Sequence, residues 1–158
     1  MKKLIFCTLT FLTIALLNSC TEKTAGVDSF QFDIYSWEWQ AFGTAGTADF
    51  SYIASYDIPE ITQDVVTNGT VLGYIGGSQG WIALPFTTTS NGWSTNINYL
   101  YVVGGVGLTI KDTDLLTVAP STTTTFKMVV ITPKQKPLLN GVNPNDYEAV
   151  SDALQLDK

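Results

Sequence analysis

Apolar and polar residues alternate through most of the chain with the period of two that a half-buried β-strand requires. In the stretch 29–42, Phe30, Phe32 and Ile34 fall on one face and Gln31 and Asp33 on the other. The phase slips at Tyr35, after which Tyr35, Trp37 and Trp39 alternate with Ser36, Glu38 and Gln40. A slip of one residue predicts a β-bulge or two abutting strands, and it sets Trp37 and Trp39 on one face. After a glycine turn at 43–46, Phe50, Tyr52, Ala54 and Tyr56 form the next alternating run, which stops at Asp57-Ile58-Pro59.

The stretch 61–68 breaks this pattern. Ile61, Val65 and Val66 share a helical face, Thr62 suits the cap and Gly69 the position beyond the end, so a short crossing helix is predicted. Strands resume at 71–75 and 81–86 around the glycine-rich turn 76–80, and 87–92 reads as a polar loop. Ile97, Tyr99 and Tyr101 mark another strand, Gly104-Gly105 turns the chain into 106–110, and 112–120 is a connection. The run 126–131 ends the β region with four buried-looking residues, Met128-Val129-Val130-Ile131. Seven or eight short strands predict an all-β fold: an antiparallel β-sandwich, immunoglobulin-like or jelly-roll-like, over 29–133. In the remaining tail, 134–158, Asn143 and Pro144 resemble a helix start. Tyr147, Val150 and Leu154 then make a stripe, which predicts a C-terminal helix that docks weakly or frays.

The amino-terminal stretch has a different pattern. Lys2 and Lys3 precede an uncharged apolar run at 4–17, followed by Asn18, Ser19 and Cys20. That run is shorter than the roughly 20 residues of a membrane-spanning helix, and its layout is that of a secretory signal. Leu17-Asn18-Ser19-Cys20 resembles the lipobox of bacterial lipoproteins. The resemblance implies a signal peptide at 1–19, a diacylglycerol thioether on Cys20, and a lipidated polar tether at 20–28. It thus implies attachment to the cell envelope, at the outer membrane, through lipid.

Charge and composition narrow the function. Without residues 1–19 the chain has 139 residues, the size of one domain. Six lysines then stand against fourteen acids, a net charge of −8, with no arginine and no histidine. Clustered cations carry phosphate binding, so nucleic acid is excluded as a partner. The lack of histidine removes triads built on that base. Cys7 lies in the signal and Cys20 would carry lipid, so the domain has no thiol for a disulfide or a thiolate metal site. No cofactor motif is present, and the expectation is a protein that is not an enzyme.

Four tryptophans are the first binding candidates. Trp37, Trp39, Trp81 and Trp93 can stack on sugar rings, whose C–H groups suit an indole face. The alternative is core packing, where each aromatic buries roughly 150–250 Å². Trp93, beside the polar loop, is expected to be the most exposed. Glu38, Asp57 and Glu60 are candidates for an acid and a nucleophile, but a glycosidase needs two carboxylates roughly 5–10 Å apart and their spacing offers no pair. Asp112 and Asp114 present two hard oxygens at i and i+2. Calcium requires 6–8, so a remote acid such as Asp64 and backbone carbonyls would have to complete a site; otherwise both are turn formers. The run 76–80 lacks the Lys-Ser/Thr of a phosphate loop and reads as a hairpin turn. Asn68-Gly69-Thr70 matches a glycosylation acceptor, which has little force in a bacterial lipoprotein.

Three stretches carry a wider resemblance: Pro59-Glu60-Ile61-Thr62-Gln63-Asp64-Val65-Val66, Gly69-Thr70-Val71-Leu72-Gly73-Tyr74 and Trp81-Ile82-Ala83-Leu84-Pro85-Phe86. Together with 106–110 and 126–131, they resemble small lipoproteins common in Bacteroidota, some described as collagen-like where a Gly-rich tail precedes the domain. The resemblance covers most of 29–132 and rests on packing and turn residues, so it implies envelope location and an all-β fold but no catalytic residue. The expected role is a non-catalytic binding or adhesion module for glycan or protein. The alternatives are a structural or accessory subunit of a surface assembly and, behind it, a carboxylate-based hydrolase.

Overall fold

The phase slip at Tyr35 marks a change of sheet. The computed structural model describes residues 27–156. β1 (Val27–Ile34) belongs to one sheet and β2 (Gln40–Phe42) to the other, and a 3-10 turn, Ser36–Glu38, carries the chain across. Two hydrogen bonds close that turn: Tyr35 N–H donates to Glu38 Oε2 at 2.6 Å, and Glu38 N–H donates to the Tyr35 carbonyl at 3.0 Å.

The chain continues through β3 (Ser51–Asp57), α1 (Gln63–Asn68), β4 (Thr70–Gly77), β5 (Gly80–Ala83), β6 (Phe86–Ser90), β7 (Trp93–Val102), β8 (Gly105–Asp112) and β9 (Thr124–Ile131). A second 3-10 turn, Lys136–Leu139, precedes α2 (Tyr147–Leu154). The four-stranded sheet runs β1-β9-β4-β5 and the five-stranded sheet β2-β3-β8-β7-β6, with every pairing antiparallel. The fold is an all-β sandwich.

The alternation in the sequence becomes the two inner faces. Phe32, Ile34, Val71, Phe126, Met128 and Val130 from the first sheet meet Ala54, Val106, Leu108 and Ile110 from the second. Tyr99 ties the sheets together, its hydroxyl donating to the Val71 carbonyl at 2.8 Å. The ring passes over Gly73, where a Cβ would lie 3.1 Å from it. Thr62 caps α1, accepting from Val65 N–H at 3.3 Å. Gly69 is not left-handed but extended; it is glycine because a Cβ there would stand 2.4 Å from the Ile131 carbonyl oxygen.

Two further elements differ from the sequence reading. The stretch expected as a polar loop at 87–92 contains most of β6, an edge strand. Its hydroxyls pair across to β7, Thr87 Oγ1 donating to Asn96 Oδ1 and Thr89 bonding Ser94, both at 2.9 Å. The C-terminal helix starts later than expected and docks firmly. Asp146 is its cap, accepting from Ala149 N–H, while Asn143 accepts from Asn145 N–H in the turn before it.

Tyr147, Val150 and Leu154 of α2 are buried against Tyr74, Val129 and Ile131 on the outer face of the four-stranded sheet. This explains why 128–131 reads as continuously buried: β9 has the sandwich core on one side and the helix on the other. Tyr74 Oη donates to the Pro144 carbonyl at 2.8 Å, and Lys127 Nζ donates to Tyr147 Oη at 2.9 Å.

Candidate binding surface

Trp37 owes its position to the 3-10 turn. Its indole is 76% exposed and lies parallel to the Tyr35 ring, with centroids 4.7 Å apart and planes 4° from coplanar. The Tyr35 main chain is fixed in turn by its N–H donating to Glu38 Oε2. The backing ring holds the indole in one orientation while most of its surface stays in water.

Glu38, Gln40, Ile53 and Ser55 surround Trp37 around a depression of about 380 Å³. Ile53 and Ser55 also border a second hollow of about 370 Å³ that crosses β8 to Leu100 and Val102 on β7. The register of β3, β8 and β7 sets Ser55, Gly107 and Leu100 abreast on the outer face. Gly107 leaves the floor open, since a Cβ there would meet only the Leu100 side chain, at 3.5 Å. The outer face of the five-stranded sheet thus carries a continuous strip. An indole stands at one end, aliphatic side chains at the other, and a carboxylate, an amide and a hydroxyl lie near the indole. Such a strip can take the C–H face of a pyranose on Trp37 and its hydroxyls on Glu38, Gln40 and Ser55.

The other tryptophans are placed differently. Trp39 does not share a face with Trp37: it is 5% exposed and packs on Phe126 in the core, with centroids 6.4 Å apart. A 3-10 turn advances roughly a third of a circle per residue, so residues two apart in and beyond it do not point the same way. The Trp39 indole N–H has no acceptor among the described residues. Trp81 is half-buried, with Lys127 Nζ 4.3 Å from its ring centroid and Tyr147 packed at 5.8 Å; its ring serves the docking of α2. Trp93, expected to be the most exposed, is half-buried at the mouth between the sheets.

Asp112 and Asp114 are committed separately. Asp112 is 6% exposed and its Oδ1 accepts from Thr95 Oγ1 at 2.6 Å, whereas Asp114 Oδ1 accepts from Leu116 N–H at 2.9 Å as a turn former. Asp64 accepts from Asn68 on α1. Among the described residues no group of three or more His, Cys, Asp or Glu could hold a metal ion.

The sequence reading did not single out Gln40, Ser55, Leu100 or Val102. A signal was present for the last two: in 99–103 both phases of the alternation are apolar, which places large side chains on the outer face as well as the inner.

No family model matches the chain, and neither the curated proteins nor the solved structures include a match. No helix among the described residues is long and apolar enough to cross a membrane. The signal-like stretch 1–19, Cys20 and most of the tether lie outside the described residues.

Proposed function

We propose that the protein is a non-catalytic, lipid-anchored cell-envelope module that binds glycan on the outer face of its five-stranded sheet. The observation that carries this reading is the exposed Trp37 indole, backed by Tyr35 and bordered by polar side chains. An aromatic platform held in place before the ligand arrives loses little entropy on binding. Binding is favoured over hydrolysis because Glu38, the carboxylate beside the indole, already holds the turn, while Asp57 borders the second hollow of the strip. The lipobox-like Leu17-Asn18-Ser19-Cys20 supports the anchor. A second reading, a subunit of a surface assembly, is favoured by β1, eight residues long at a sheet edge and so able to accept a partner's strand.

The test is a glycan array probed with the full chain, alongside Trp37→Ala and a membrane fractionation of Cys20→Ala. Expected are glycan binding that falls at least tenfold without the indole, a loss of about 1.4 kcal/mol, and release of Cys20→Ala from membranes. A flat array with folded protein, or undiminished binding by Trp37→Ala, overturns the glycan reading. Retention of Cys20→Ala in the membrane fraction overturns the anchor.

A further inference from the structure

Trp93 and Asp112 attract attention in the sequence for unrelated reasons, and the fold brings them to one cavity. The pairing of Thr95 with Asp112 aligns β7 and β8 so that Trp93, Thr95 and Asp112 all lie at the open end between the sheets. Ile75 from the opposite sheet and Val118 and Pro120 from the loop before β9 complete the walls of a cavity of about 390 Å³. That size suits a small ligand.

The charge in this cavity is unbalanced. Asp112 is 6% exposed, and its Oδ1 accepts from Thr95 Oγ1 at 2.6 Å. The main chain is fixed too, Asp112 N–H donating to the buried Thr117 Oγ1 at 2.8 Å. Among the described residues no lysine lines the cavity, and the chain has neither arginine nor histidine to neutralise the carboxylate. A buried charge is costly until it is paired. Here it sits beside an indole and apolar walls, the surroundings that favour a cation with an apolar body, held by the carboxylate and by the ring quadrupole.

We propose that this cavity is a second binding site, distinct from the Trp37 strip, for a small organic ammonium compound. Asp112 pairs with the charge, Trp93 and Ile75 cover the apolar part, and the exposed Val118 forms the rim.

The proposal is tested by calorimetry on the full chain in detergent micelles with choline, with butylammonium, and with neohexanol, the uncharged carbon isostere of choline. The two cations separate quaternary from primary ammonium. At least one is expected to bind with Kd below about 1 mM, with neohexanol at least tenfold weaker. Asp112→Asn keeps the Thr95 hydrogen bond but removes the charge, and is expected to weaken binding at least tenfold. Val118→Lys puts a competing ammonium at a position that is 73% exposed, where the fold tolerates it, and is expected to do the same. Neohexanol binding as tightly as choline, no cation binding by about 10 mM, or unchanged affinity in Val118→Lys overturns the proposal. Should Asp112→Asn fail to fold, Val118→Lys decides alone.

Discussion

The two outer faces of the sandwich are treated in opposite ways. On the four-stranded sheet Leu72, Tyr74, Val129 and Ile131 are covered by α2 and the segment before it. On the five-stranded sheet Leu100, Val102 and Val103 are left in water beside a glycine-floored hollow. The same kinds of side chain thus have two roles. Where a helix covers them, they hold the fold together; where no described residue covers them, they are available to a partner. An apolar patch kept open on a sheet that the chain could have covered is the more informative of the two.

Three measurements would break or sharpen that contrast. The largest effect is expected at the helix. Val150→Asp places an unpaired charge in the buried seam and should cost more than about 4 kcal/mol in urea unfolding, whereas Leu100→Ser on the open face should change stability by less than about 0.5 kcal/mol. Equal effects would mean that the open face is also structural. Next comes a pair of glycines. Gly73→Ala presses a methyl onto the Tyr99 ring and the Met128 sulfur between the sheets and should cost about 1–3 kcal/mol. Gly107→Ala faces outward and should be stable to within about 0.5 kcal/mol while it narrows the hollow.

The smallest effect is an alkaline one. Burial raises the Tyr74 hydroxyl above its ordinary value of 10.0, and burial likewise raises Tyr99. A raised value in the folded state means that the unfolded chain loses its proton first. Stability is therefore constant below about pH 10 and falls above it, by at most about 1.4 kcal/mol per pH unit for each group. Urea unfolding between about pH 9 and 12, compared in Tyr74→Phe, would show this as a shallower fall in the variant; identical slopes in the two proteins would contradict it.

Much of the fold was legible in the residues because period-two alternation and turn glycines report directly on strands with one buried face. The slip at Tyr35 was legible as a break, but not as a change of sheet, since a bulge leaves the same trace. β6 was hidden because Thr87, Thr88, Thr89 and Ser90 have no apolar phase; an edge strand with both faces polar leaves no hydrophobic pattern. The helix start was misread because Asn143-Pro144 and Asp146 both carry capping signals, and only packing against Tyr74 and Val129 selects the later one. For the binding surface, the residue types were visible and their placement was not. Trp37 and Trp39 part company over a turn of three residues, while Trp93 and Asp112, nineteen positions apart, are joined by the register of a hairpin.

β1 has a mechanical consequence. It begins at Val27 and leads within a few residues to Tyr35 and Trp37. In a protein tethered at its amino end and holding a ligand on Trp37, a pull on that ligand would run along this one strand, roughly 26 Å of backbone. The tension would pass through the covalent bonds of a strand paired along its whole length to β9, and α2 would lie outside the load path. A domain wired in this way can resist drag without being hard to unfold.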